Sequence, residues 1–148
     1  MIACILVATD GSEASAAAVD VAIELTQSLG PDARLHVAAV VDYAGVPSVL
    51  AKHPAGAPNL LAEAADDALA RAAAAVAAAG TAAQTHCLNG DVVEAILACA
   101  TEVGADLLVA GFRGRNRFAR LVMGSVCGQL VRVSAVPVLV VRGPRAGE

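Results

Sequence analysis

The feature that most constrains this chain is a strict alternation of short apolar runs with stretches of helical periodicity. The run Ile2 to Ala8 is apolar at every position, as a strand buried on both faces should be. Asp10-Gly11-Ser12 breaks it, and Ser12 is a good N-cap for a helix beginning there. Ala14, Ala18, Val21, Ala22, Leu25 and Leu29 then share one helical face, and Gly30-Pro31 stops the helix. Leu35 to Val41 is a second strand. Asp42 to Pro58 carries three prolines and two glycines and is predicted to be a long loop. Asn59 is expected to cap an alanine-rich helix ending near Ala79-Gly80. Ala82 to Leu88 is a third, weaker strand. After the turn at Asn89-Gly90, Asp91 and Glu94 form a capping-box pattern. The next helix offers Val93, Ile96, Leu97 and Ala100 to the core and ends at Gly104. Asp106 to Ala110 is the fourth strand, Gly111 to Met123 a loop, and Gly124-Ser125 the start of a last helix reaching about Ser134. Pro137 to Val141 closes the pattern, with proline tolerated where it opens a strand. A βαβαβαβαβ chain with right-handed crossovers makes an open parallel sheet with helices on both faces.

The chain has 148 residues, the usual size of one domain, and nothing marks a repeat or a linker. Aromatic residues are only 2%, so the core must be packed from small and branched side chains. The formal net charge of -4 argues against a general nucleic-acid binder. Ile2 to Ala8 is too short for a membrane helix and has no basic segment before it, so neither a membrane span nor a signal peptide is expected. Cys4, Cys87, Cys99 and Cys127 show no CxxC spacing and read as reduced, mostly buried thiols in the cytoplasm. His36, His53 and His86 are far apart in the sequence and suggest no metal constellation.

In open parallel sheets, ligands bind beyond the carboxyl ends of the strands, where the strand order switches. Asp10, Asp42 and Gly111 each follow a strand. The loop after strand four has glycines at 111, 114 and 124, which let the backbone approach a ligand and present N–H groups to an anion. Ser125 opens the last helix, whose first N–H groups favour phosphate. Arg113, Arg115, Arg117 and Arg120 lie within eight residues with no acid among them, and their forked donors suit phosphate. The residues alone also allow plainer roles. Asp10 can be a turn residue, Asp42 a solvated carboxylate, Arg120 a solvent-facing cation, and Ser125 a simple cap.

The spacing Gly111-x2-Gly114-x9-Gly124-Ser125 resembles the ATP-binding branch of the universal stress protein family. Ile5-Leu-Val-Ala-Thr-Asp-Gly-Ser12, Leu35-His-Val37 running on to Val41-Asp42, Ala105-Asp-Leu-Leu-Val-Ala-Gly111, Gly124-Ser-Val126 and Pro137-Val-Leu-Val-Val-Arg142 match in order along the whole chain. The resemblance implies one flavodoxin-like, Rossmann-like domain over residues 1–148, with sheet order 3-2-1-4-5. It implies ATP as ligand. Ala8, Thr9 and Asp10 would lie at the nucleoside, and Val40 would line the adenine pocket. Gly111, Arg113, Gly114, Arg115 and Arg117 would wrap the phosphates, and Gly124, Ser125 and Val126 would complete the cradle. It also implies a homodimer, formed through the last strand at Val138–Val141. Position 112 is small and polar in that family and is Phe112 here, a ring that would pack against a partner or narrow the pocket.

A regulatory, nucleotide-binding role is therefore expected, in a stress response. The alternatives are a slow ATPase or nucleotidyl transferase, or a member that binds cyclic AMP. The enzyme reading is the weaker. There is no GxxxxGK[ST], the single lysine is Lys52 in the middle loop, and the first βα turn lacks GxGxxG. A phospho-receiver would want an aspartate where Cys87 and Leu88 stand. The sequence leaves open Mg²⁺ bridging the phosphates and names no regulatory protein partner.

Overall fold

The computed structural model describes residues 1–42, 57–112 and 123–143. Five strands alternate with four helices: β1 (Cys4–Ala8), α1 (Glu13–Leu29), β2 (Arg34–Val41), α2 (Ala57–Ala78), β3 (Gln84–Asn89), α3 (Val92–Val103), β4 (Leu107–Gly111), α4 (Ser125–Val133) and β5 (Val138–Val141). All neighbouring strands pair in parallel, in the order β3-β2-β1-β4-β5. The expected α/β fold and strand order are thus observed.

Alternation along each strand divides the core into two halves. Ile5, Val7, Leu35, Val37, Leu107 and Val109 face α1 and α2. Leu6, Ala38, Leu108 and Ala110 face α3 and α4. Leu6, Ile96, Leu108 and Leu130 are almost wholly buried in this second half, each contributing about 1.5–3 kcal/mol of transfer free energy.

The helix ends follow local chemistry. The Ser12 side chain accepts the Ser15 N–H at the start of α1. Asp91 does the same for Glu94 at α3. Gly104 ends α3 in the left-handed region, at φ 69°, and returns its N–H to Ala100 and Thr101 carbonyls.

Several sequence expectations need correction. Helix α2 begins at Ala57, so Asn59 lies inside its first turn and is not the cap. Proline at 58 suits that first turn, where a backbone N–H has no helical partner. On α1 the buried residues are Ser15, Ala18, Val19, Ala22, Ile23 and Thr26, while Leu29 is exposed. Thr26 can enter the core because its hydroxyl donates to the Ala22 carbonyl. Leu97 is only half-buried, and Cys99 takes the place expected for it. Cys4, Cys99 and Cys127 are buried free thiols, but Cys87 is exposed on the edge strand β3. No described helix is long and apolar enough to cross a membrane.

Candidate functional site

The carboxyl ends of β1, β2 and β4 open onto a cavity of about 590 Å³, within the size range of small-molecule sites. It sits where the strand order reverses, between β1 and β4. Side-chain size opens it. On the side facing α3 and α4, β1 passes from Leu6 to Ala8 and β4 from Leu108 to Ala110, while β2 offers Ala38 and Val40. Large side chains fill the middle of this layer, and small ones leave a gap at its carboxyl edge.

The structure brings eight of the expected site residues to this one cavity. Ala8, Thr9 and Asp10 come from the end of β1, Val40 from β2 and Gly111 from β4. Gly124, Ser125 and Val126 come from the start of α4. Arg113, Gly114, Arg115 and Arg117 lie outside the described residues, as does Arg120. Asp42, whose plainer reading was a solvated carboxylate, is half-buried on the cavity wall.

The turn carrying Asp10 is built by a directed chain of hydroxyls. Ser15 Oγ donates to the Ser12 carbonyl at 3.0 Å. Each hydroxyl has one proton, so the 3.1 Å contact with Thr9 must be donated by Thr9 Oγ1. Thr9 Oγ1 in turn accepts the Gly11 N–H, and Ser15 Oγ accepts that of Asp10. Asp10 Oδ1 accepts the Ser12 N–H at 2.9 Å, so Asp10 shapes the turn and also lines the cavity. Gly11 has φ 81°, and the Arg71 guanidinium lies over it, with Nη1 donating to the Gly11 carbonyl at 3.4 Å.

Gly111 also answers a packing demand. A Cβ there would come 2.7 Å from the Ala14 carbonyl carbon and 2.8 Å from the Ser15 nitrogen. The missing side chain lets β4 end against the first turn of α1.

The N-terminus of α4 faces the cavity with no side-chain cap. Its first intrahelical bond runs from Gly128 N to the Gly124 carbonyl. The N–H groups of Ser125, Val126 and Cys127 precede it, at the positive end of the helix dipole. Ser125 is the first helical residue, not the cap, which is Gly124. Phe112 packs within its own chain: the Arg142 guanidinium lies 4.5 Å from its ring centroid, and its N–H is held by the Val141 carbonyl.

Sequence reasoning missed part of the wall. Ser15, Leu61, Ala64 and Ala65 line the cavity from α1 and α2, and Val92, Ile96 and Leu130 from α3 and α4. Small residues facing α3 and α4 at the ends of three strands were the available signal. Cys127, expected to be buried, is buried and also lines the cavity. Burial raises its thiol pKa, as it does for Cys99, so neither is held as a thiolate. Among the described residues no group of three or more histidine, cysteine or acidic side chains could hold a metal ion.

Known proteins share this architecture. The universal stress protein of Methanocaldococcus jannaschii called MJ0531 is 30% identical over 144 residues, 95% of this chain and 82% of that protein. Universal stress protein YxiE of Bacillus subtilis is 32% identical over 143 residues, 93% of this chain and 97% of that one. A shorter match, 42% identical over 55 residues, is to the stress response protein NhaX of Bacillus subtilis, and spans 37% of this chain and 33% of that protein. A crystal structure from the universal stress protein family of Burkholderia pseudomallei superposes with TM-score 0.69 at 30% identity, covering 95% of this chain and 96% of that one. A universal stress protein in complex with cAMP superposes with TM-score 0.64 at 31% identity, covering 97% and 99%. The model of the universal stress protein family matches residues 1–142. That match takes in every strand of the sheet, bacterial and archaeal relatives align over more than nine-tenths of the chain, and so the chain belongs to the universal stress protein family.

Proposed function

We propose that this protein binds ATP at the carboxyl edge of its sheet and acts as a nucleotide-dependent regulator in a stress response. The single observation that carries the reading is the cavity's two-ended chemistry. Its inner wall is small and apolar, with Ala38, Val40, Ile96 and Leu130 suited to a flat base. Its outer end is the uncapped N-terminus of α4, whose N–H groups suit phosphate. Arg113, Gly114, Arg115 and Arg117 complete the phosphate site in this proposal. Thr9 and Asp10, at the end of β1 between β2 and β4, would lie at the ribose in this proposal.

A regulatory role is the reading here because, among the described residues, the cavity offers binding groups without a catalytic pair. Cyclic AMP is the second reading, supported by the 31% identical relative solved with that ligand. Homodimerisation through β5 belongs to the same proposal, since Val138–Val141 is a half-exposed apolar edge strand. So does a cytoplasmic location, supported by four free cysteines.

Denaturing the purified protein and identifying released nucleotide by chromatography tests the ligand. Titration with ATP, AMP and cyclic AMP, with and without Mg²⁺, ranks the candidates and decides whether the cation bridges the phosphates. ATP is expected to bind most tightly, and failure of all three to bind removes the proposal. Single-turnover assays with labelled ATP are expected to show hydrolysis no faster than in buffer. Sedimentation at micromolar concentration is expected to give a dimer.

A further inference from the structure

Two histidines 50 residues apart in sequence meet on the face of the sheet covered by α3 and α4. His36 Nδ1 and His86 Nε2 are 2.9 Å apart. The ring planes are 27° from parallel and the centroids 5.2 Å apart, about a hydrogen bond plus a ring radius at each end. The rings therefore meet head-on, with their facing nitrogens on one line. A metal ion would need the two lone pairs to converge on a third point. Head-on nitrogens instead share a proton. His36 is only 5% exposed, whereas His86 is half-buried on the edge strand β3.

We propose that the His36–His86 pair is an acid-operated clamp, in which one shared proton ties edge strand β3 to β2 and a second added proton releases it. Proton counting gives the mechanism. In the neutral pair one ring donates and the other accepts. The first added proton favours the more exposed ring, so in the singly charged pair His86 Nε2–H donates and His36 Nδ1 accepts. A proton taken from water onto His86 Nδ1 leaves this bond intact and makes it charge-assisted. The next proton has only the accepting His36 Nδ1 to enter. It removes the acceptor lone pair and sets two imidazolium rings against each other.

The surroundings oppose that second charge. Burial, the His86 charge and the Arg34 guanidinium all hold the His36 pKa below its ordinary value. Among the described residues, this face also carries Cys4 from β1, Cys99 from α3 and Cys127 from α4, thiols held neutral by burial. Asp106 and Glu102 act on those thiols, whereas the charges acting on His36 are cationic. His86 is also the register partner of Ala38, a cavity-lining residue, and β3 leads through Gly90 and Asp91 into α3. Release of β3 would therefore loosen the wall formed by Val92 and Ile96. The clamp itself depends on no ligand.

Amide hydrogen exchange on the full chain, from about pH 7.5 to about pH 5 and corrected for the intrinsic rate, tests it. Protection of Thr85 to Leu88 is expected to fall at least about tenfold relative to Ile5 to Val7. In His86→Gln, whose amide can donate through Nε2 to neutral His36 Nδ1 and accept through Oε1 from it once protonated, that ratio is expected to stay constant. Equal changes in both strands, or an acid step that survives in His86→Gln, would overturn the proposal. Nitrogen chemical shifts of the two imidazoles in the unaltered protein provide a second readout that needs no variant. The second proton is expected to enter together with loss of β3 protection. Two independent titrations with β3 unmoved would also overturn it.

Discussion

The Cβ that Gly111 lacks would lie 2.7 Å from the carbonyl carbon of Ala14. The end of β4 and the first turn of α1 are therefore in backbone contact, and the Thr9–Asp10–Ser15 turn sits beside that contact. Gly111→Ala is expected to force the two apart and to cost about 1–3 kcal/mol, the usual penalty of overpacking. Urea unfolding measures it. An unchanged midpoint and slope would mean that β4 and α1 are not held at this distance in solution.

Ser15 joins Thr9, Asp10 and Ser12 through a single hydroxyl. Ser15→Ala leaves the buried Thr9 hydroxyl without its acceptor, a loss of about 1–3 kcal/mol. ATP affinity is expected to fall as well, because the turn that presents Asp10 loses its brace. Chemical denaturation and calorimetric titration read the two effects separately. A loss of stability with full affinity would confine Ser15 to a folding role.

Gly124 caps α4 without a side chain. Gly124→Asp would supply an acceptor to the first N–H groups of the helix and stabilise the ligand-free protein by a few tenths of a kcal/mol. The same carboxylate would oppose phosphate at that end. ATP affinity is expected to drop by about tenfold or more, a modest charge repulsion near a protein surface. Thermal melts rising while affinity stays constant would show that phosphate does not lie at α4.

Asp106 Oδ2 accepts the N–H groups of both Ala3 and Cys4 at 2.9 Å. These bonds favour the ionised form and hold its pKa below the ordinary carboxylate value. Linkage fixes the sign. The unfolded chain takes up this proton first as pH falls, so the stabilisation is complete above about pH 4 and is lost as pH drops through the folded-state pKa. Urea midpoints measured across that acid range should fall in the unaltered protein. Asp106→Asn should lower the midpoint at neutral pH and flatten this part of the profile. An identical acid slope in the two proteins would rule out the role.

Much of the architecture was legible in the order of residues. Apolar runs separated by capped, periodic segments demand parallel strands with helical crossovers, because no other layering buries every run. Ser12, Asp91 and Gly104 marked helix ends through bonds made within a few residues. The resemblance of Ile5–Ser12, Gly111 and Gly124–Val126 to one family placed the site at the strand switch. Non-local facts were not legible. The exposure of Leu29 depends on what α1 packs against, not on propensity.

By itself, then, the sequence determined which segments are strands and helices, and which glycines and hydroxyls lie at the carboxyl edge. Those are consequences of periodicity and of bonds spanning a few residues. Only the tertiary structure decided what those residues meet. It set Gly111 against Ala14, and made Ser15 the hub of the first turn. It gave Asp42 a place on the cavity wall and joined His36 to His86 across two strands. Such contacts come from register and helix placement. A chain read in one dimension does not carry them, because the residues involved become neighbours only when the sheet is assembled.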